Sequence, residues 1–155
     1  MPHYTDTQYS PYSPRQIYDL VADVPRYPEF IPWCRAARIL SRESDYVFHA
    51  QLVVAYKALS ESYTSRVELE PGGGEHSPHS IHVRMTEGPF HHLTNEWRIE
   101  PIEEGGTAIH FELDFDFRSK LLSSLINAFF GKAVSHMAEA FKQRADDLYG
   151  KPNEA

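Results

Sequence analysis

The order of apolar and polar residues predicts a helix near the N-terminus, after a weakly alternating strand over residues 3–10. Ser13, Pro14 and Gln16 form a capping box with proline at the first helical position. Apolar residues then follow at helical spacing, at Ile17, Leu20, Val21 and Val24. Because proline cannot continue a helix, we expect this one to stop at Pro25.

The next part of the chain alternates between apolar and polar residues, which is typical of strands with one covered face. Six strands are predicted, over residues 35–42, 46–54, 59–69, 81–86, 93–99 and 107–117. The clearest one, 107–117, places Phe111 and Phe115 on one face and Glu112 and Asp114 on the other. Residues 70–79 form a Gly-rich loop between two of these strands.

From about residue 119 to 149 the apolar period changes from two to 3.6, which predicts one long C-terminal helix. The elements together predict an α+β fold, in which a curved seven-stranded antiparallel sheet surrounds this helix. Side chains or a ligand would fill the volume between them. We expect one domain over residues 1–150, followed by a disordered tail over 151–155.

An apolar loop follows the first helix, at residues 24–34, and reads VPRYPEFIPWC. Its three prolines prevent a long regular element. It nevertheless carries Tyr27, Phe30, Ile31 and Trp33, which a solvated loop does not need. The aromatic residues either cover the mouth of a cavity or seal the edge of the core.

Composition narrows the function classes. Aromatic residues make up 13% of the chain, which suits contact with an apolar ligand. The net charge of −7 disfavours nucleic acid as a partner, because phosphates repel an acidic surface. The single cysteine, Cys34, permits no intrachain disulfide, and no secretory signal is visible, so we expect a cytoplasmic protein. The apolar stretch 121–130 is too short to span a bilayer.

Several motifs along the chain carry a family resemblance. They are Tyr12-Ser13, Val21-Ala22-Asp23-Val24, Tyr27-Pro28, Phe30-Ile31-Pro32-Trp33-Cys34, Gly88-Pro89-Phe90, Glu96-Trp97 and Phe111 to Phe117. On these residues, spread from about 4 to 149, the sequence resembles the coenzyme Q-binding proteins of the START-like, helix-grip superfamily. The acidic, Gly- and His-rich loop 70–79 departs from the pattern.

The resemblance implies a helix-grip fold that binds ubiquinone in its groove and supports respiratory electron transfer without catalysing a reaction. It implies no cofactor beyond the bound ligand. Two alternatives come from the same superfamily. Some bacterial relatives are toxins that bind the large ribosomal subunit, and other START-like domains are aromatase/cyclase enzymes, which would need an acid/base pair in the groove.

Candidate ligand contacts are aromatic and apolar residues expected on the groove side. They are Tyr27, Phe30, Trp33, Tyr63, Trp97, Phe111, Phe115, Phe129 and Met137. Ordinary core packing is the alternative for each. The start of the last helix is apolar almost all round, so Leu121, Leu125 and Phe130 are expected to touch an inner-membrane surface or a partner. A covering loop or a dimer contact would explain them equally.

Three polar features are weaker candidates. Glu61 falls on the face of Tyr63 and Val67, and would hydrogen-bond a quinone oxygen if protonated. We favour a register displaced near residues 55–58 instead, with Glu61 outside the groove. Cys34 has no paired base at a readable spacing, which favours a small buried residue over a nucleophile. The histidines fit no zinc signature, so no metal is expected; they are His76, His79, His82, His91 and His92.

Overall fold

The structure, a computed structural model, describes residues 3–56 and 59–150, and it describes side chains there except at 56, 59, 117, 122, 123 and 125–134. Seven strands form one antiparallel sheet. They are β1 (His3–Ser10), β2 (Cys34–Ser44), β3 (Val47–Tyr56), β4 (Leu59–Glu70), β5 (His79–Glu87), β6 (Phe90–Pro101) and β7 (Thr107–Phe117). The helices are α1 (Pro14–Ala22) and α2 (Lys120–Tyr149).

Helix α1 begins as the sequence predicts. The Ser13 hydroxyl accepts a hydrogen bond from the Gln16 backbone N–H, and the Gln16 side chain accepts one from the Ser13 backbone N–H. This reciprocal capping satisfies two donors that the first turn otherwise leaves unpaired. The helix ends at Ala22, and a 3₁₀ turn over Val24–Glu29 forms the first part of the Pro-rich loop.

The strand order in the sheet is β1-β7-β6-β5-β4-β3-β2, so hairpins join every neighbouring pair except β1 and β7. Register shifts interrupt the pairing of β2 with β3, of β4 with β5 and of β6 with β7. Such irregularities bend strands and increase their twist, which lets the sheet curve. Strands β2, β5 and β6 extend one to three residues beyond both predicted ends, because pairing with neighbours continues past the alternating segments. Strands β1 and β7 have the predicted bounds, β3 is displaced towards the C-terminus by one to two residues, and β4 ends one residue later than predicted.

Helix α2 packs its second half against the inner face of the sheet. The Phe141 and Trp97 ring centroids lie 5.3 Å apart, and Ala145 is buried in the core. Hydrogen bonds fix the helix end, from the Tyr149 hydroxyl to the Gln16 carbonyl oxygen at 3.0 Å and from the Tyr12 hydroxyl to Asp146 at 2.6 Å. The predicted α+β fold, a curved seven-stranded antiparallel sheet with a long C-terminal helix, is confirmed.

No helix among the described residues is long and apolar enough to cross a membrane. The predicted disordered tail, residues 151–155, lies outside the described residues.

Candidate functional site

A cavity of about 260 Å³ lies between the inner face of the sheet and α2. Its walls come from α1, the Pro-rich loop, strands β2 to β7 and α2. Most of the lining side chains are apolar. They are Val21, Val24, Ile31, Ala50, Leu52, Val54, Ala55, Val67, Ile81, Val83, Leu93, Leu113 and Met137, with the aromatic residues described next.

Aromatic rings from the sheet form the wall that faces α2. Trp97 and Phe111 contact each other edge to face, with ring centroids 4.8 Å apart. Further along, Phe90 stands edge to face on Phe115 at 6.0 Å and on Tyr63 at 5.7 Å. All five rings line the cavity. Alternation along β6 and β7 places these rings inward, which is why the sequence identified most of them.

Two aromatic residues of the Pro-rich loop also line the cavity, Tyr27 and Trp33. The Tyr27 hydroxyl donates a 2.5 Å hydrogen bond to the Val21 carbonyl oxygen, and burial raises the pKa of this hydroxyl far above its usual value. The Trp33 carbonyl oxygen accepts from the Ala55 backbone N–H at 2.8 Å, which ties the loop to the end of β3. Both side chains are only partly buried, as expected at a cavity mouth.

Phe30 is not among the residues that line the cavity, contrary to the prediction that grouped it with Tyr27 and Trp33. Its ring packs on Phe141 at 5.2 Å, and the Arg144 guanidinium lies over it at 5.1 Å. Arg144 also forms a 2.7 Å ion pair with Glu29. The 3₁₀ turn directs Phe30 towards the end of α2, where it fastens the loop to the helix.

The two remaining groups of predicted contacts lie on α2. Met137 lines the cavity. The Phe129 side chain lies outside the described residues, as do those of Leu125 and Phe130. Leu121 is 72% exposed, so it is available to a membrane or a partner. Contact of these residues with a ligand, membrane or partner stays a prediction.

Glu61 lines the cavity, and our preference for a displaced register was wrong. Strands β3 and β4 pair in an unbroken register from Val47 with Glu68 to Tyr56 with Leu59. This register keeps the alternate positions Glu61, Tyr63, Ser65 and Val67 on the inner face. The sequence around 55–58 has no turn residue to fix the hairpin, so pairing alone sets the register.

Cys34 is buried on the cavity wall, and burial raises the pKa of its thiol to about 11. A thiol that stays protonated at neutral pH is a poor nucleophile, which fits the structural role expected from the sequence.

The predicted histidine candidates lie apart from the cavity lining. His82 contacts Glu70 and Glu96 on the outer face of the sheet, His92 contacts Asp114, and His79 is buried against the Tyr18 ring. Across residues 3–56 and 59–150, no three His, Cys, Asp or Glu side chains lie close enough together to hold a metal ion.

Several lining residues were not among the ligand contacts that the sequence predicted. They include Leu52 and Val54 on β3, Leu93 and Asn95 on β6, Leu113 on β7 and Phe141 on α2. Ser65 is a different kind of omission, because a small polar residue on an apolar strand face gives no sequence signal of its own.

The fold and the cavity define a helix-grip protein with an apolar cavity between sheet and helix. The family model described as polyketide cyclase / dehydrase and lipid transport matches residues 10–142. The chain belongs to this family. Among solved structures, an 18 kDa protein of Caulobacter crescentus is similar to this chain. The two are 31% identical and superpose with a TM-score of 0.77 over 97% of this chain and 99% of that one.

Two kinds of curated relative are similar to this chain. The ribosome association toxin RatA of Pseudomonas aeruginosa is 39% identical over 90% of this chain and 92% of its own length. The coenzyme Q-binding protein COQ10 homolog B of Xenopus laevis, a mitochondrial protein, is 32% identical over 96% of this chain but only 59% of its own length. Both names belong to the group that the sequence motifs indicated, so the predicted resemblance is confirmed.

Proposed function

We propose that this protein binds a neutral hydrophobic molecule of the isoprenoid quinone class in its cavity, and that it carries the molecule without changing it chemically. The observation that carries this proposal is the apolar cavity between sheet and helix. Its volume of about 260 Å³ lies just below the range of about 300–1,000 Å³ typical of small-molecule sites. A quinone ring with a short stretch of tail suits such a space, with the rest of the tail leaving through the mouth.

The chemistry of the lining supports binding without catalysis. A cyclase would need a general acid and base that reach the same bound molecule. Burial raises the pKa values of the Tyr27 and Tyr63 hydroxyls and of the Cys34 thiol, so these three groups stay protonated at neutral pH. Glu61 is then the one carboxylate on the described wall, and it has no histidine or lysine beside it there. The name of the Xenopus relative supports a quinone as the ligand.

The experiment is a titration with decylubiquinone, a soluble ubiquinone analogue, followed by tryptophan fluorescence. Trp33 and Trp97 both line the cavity and are the protein's two tryptophans, so each reports on its contents. We expect saturable quenching with one molecule per chain, and quenching that persists in Trp33→Phe and in Trp97→Phe separately. Quenching that rises linearly with ligand in all three proteins would indicate non-specific contact and contradict the proposal.

Ribosome association is the second candidate, and a specific observation favours it: the similarity to the RatA relative extends over 90% of this chain and 92% of that protein. The charge of −7 opposes it, because binding to ribosomal RNA requires positive charge against phosphates. We expect no salt-sensitive cosedimentation with ribosomes. Stoichiometric cosedimentation at low salt that disappears at high salt would place this candidate first.

A further inference from the structure

Three polar side chains lie in a row along the β4 wall of the otherwise apolar cavity: Glu61, Tyr63 and Ser65. They occupy alternate positions on one strand, so the Cα atoms of each consecutive pair, Glu61 with Tyr63 and Tyr63 with Ser65, are about 7 Å apart. This polar strip lines the same cavity as the aromatic rings of Trp97 and Phe111.

Groups of the strip have no hydrogen-bond partner among the residues that the structure describes. Ser65 is 2% exposed, and its hydroxyl oxygen has no hydrogen-bond partner. No described donor or cation contacts the Glu61 carboxylate. Asn95, on β6 of the same cavity lining, differs from these groups: its amide donates to the Glu112 carbonyl oxygen at 2.9 Å and accepts from the Trp97 indole N–H at 2.8 Å. Buried polar groups are normally paired, so the buried Ser65 hydroxyl points to a ligand, and the half-buried Glu61 and Tyr63 side chains line the same cavity beside it.

The backbone beside the strip is irregular. Where β4 pairs with β5, Thr64 and Ser65 face three residues of β5, Met85 to Glu87, and a bulge of this kind bends the strand that carries the extra residue. Gly88 lies against Tyr63, where an added Cβ would be 2.6 Å from the Tyr63 Cβ. Because glycine has no Cβ, residue 88 does not clash with the Tyr63 side chain on the cavity wall.

We infer that the cavity selects a ligand with hydroxyl donors, and therefore binds the reduced, dihydroxy form of a quinone more tightly than the oxidised, dicarbonyl form. This inference rests on the proposed function and concerns the same cavity. The hydroxyls of Tyr63 and Ser65 donate and accept, so they pair with either form. A carboxylate only accepts, so Glu61 gains a hydrogen bond from a ligand hydroxyl and gains none from a ligand carbonyl. The same carboxylate repels fatty acids and other anionic lipids.

The test compares decylubiquinone with decylubiquinol under anaerobic conditions at neutral pH, by tryptophan quenching. We expect the reduced form to bind about tenfold more tightly, the order of magnitude for one hydrogen bond to a charged group. In Glu61→Gln the side chain both donates and accepts, so the two affinities should become about equal. The control Glu68→Gln changes a carboxylate on the other face of β4, paired with Arg66, and should keep the preference.

Each outcome separates the inference from the proposed function. Equal binding of both forms by the wild type contradicts the inference and leaves the carrier function intact. Failure of both forms to bind contradicts the carrier function itself. A preference that survives in Glu61→Gln assigns the discrimination to another group and also contradicts the inference. Ser65→Ala should weaken both forms by the same factor; unchanged affinities there would mean that the ligand does not touch the strip.

Discussion

The two faces of the sheet differ in what their side chains contact. On the inner face, β7 places Phe111, Leu113 and Phe115 around the cavity. On the outer face, the same strand pairs His110 with Glu100 at 3.3 Å and Asp114 with His92 at 3.2 Å. These outer side chains contact one another, whereas the inner face borders a cavity and carries the Glu61 carboxylate, which has no partner among the described residues. The ligand site that we propose therefore belongs to the inner face.

The outer face extends this pattern over the neighbouring strands. Arg66 bonds both Glu43 and Glu68, at 3.0 and 2.8 Å. Hydrogen bonds to Arg66 and His49 lower the pKa of the Glu43 carboxyl to about 2. Exposed pairs of this kind contribute little to stability. Substitutions on the inner face should therefore have the larger effects.

The largest effect is expected from Phe111→Ala. This ring is 8% exposed and packs on Trp97 in the main core cluster, so its removal leaves a hole that its neighbours cannot fill. We expect a loss of about 3–5 kcal/mol in the free energy of unfolding, measured with urea. Tyr46→Ala, at an aromatic residue that is 53% exposed, is the matched control and should change little. A loss below about 1 kcal/mol for Phe111→Ala would show that the ring is not part of a packed inner face.

A smaller effect on stability, with a clear effect on binding, is expected from Trp33→Ala. Trp33 lines the cavity at its mouth but is only partly buried. We expect a stability loss of about 1 kcal/mol, and quinone affinity about tenfold weaker, read from Trp97 fluorescence. Phe30→Ala is the comparison, because Phe30 packs on Phe141 outside the cavity lining and should lose more stability than affinity. If Phe30→Ala weakens quinone affinity more than Trp33→Ala does, Phe30 and not Trp33 contacts the ligand at the cavity mouth.

The smallest effect is expected on the outer face, at His82. Burial alone lowers the pKa of this imidazole, but hydrogen bonds to Glu70 and Glu96 outweigh it and raise the pKa above its usual value. A raised pKa in the folded state means that His82 stabilises the fold fully below about pH 6.5, and that this contribution is lost as the pH rises through the folded pKa.

We therefore expect His82→Gln to be less stable than the wild type at pH 5.5 by less than about 1 kcal/mol, with the difference shrinking by pH 8 and quinone affinity unchanged. Urea unfolding at both pH values measures it. A stability difference between His82→Gln and the wild type that grows with pH would contradict the raised pKa of His82.

Alternation and helical periodicity predicted the fold, because the strand segments alternate apolar and polar residues and the C-terminal segment repeats apolar residues at helical spacing. The same alternation placed Tyr63, Trp97, Phe111 and Phe115 inward. Phe30 and Glu61 were misplaced for different reasons. The side-chain directions of a 3₁₀ turn with prolines follow neither period, and the inner position of Glu61 depends on strand pairing across a hairpin without turn residues. The partners of the outer histidines also depend on register between strands.

The most direct test of the central claim is the lipid that the protein carries when it is purified from a host that makes ubiquinone. Organic extracts are analysed by mass spectrometry for the wild type and for Leu52→Trp, which replaces an aliphatic side chain on the cavity wall with a bulky indole ring. We predict a neutral isoprenoid quinone, close to one per chain, in the wild type, and its loss in Leu52→Trp at a similar melting temperature. Extracts without any lipid, or with equal amounts in both proteins, would contradict the claim that the cavity is a ligand site.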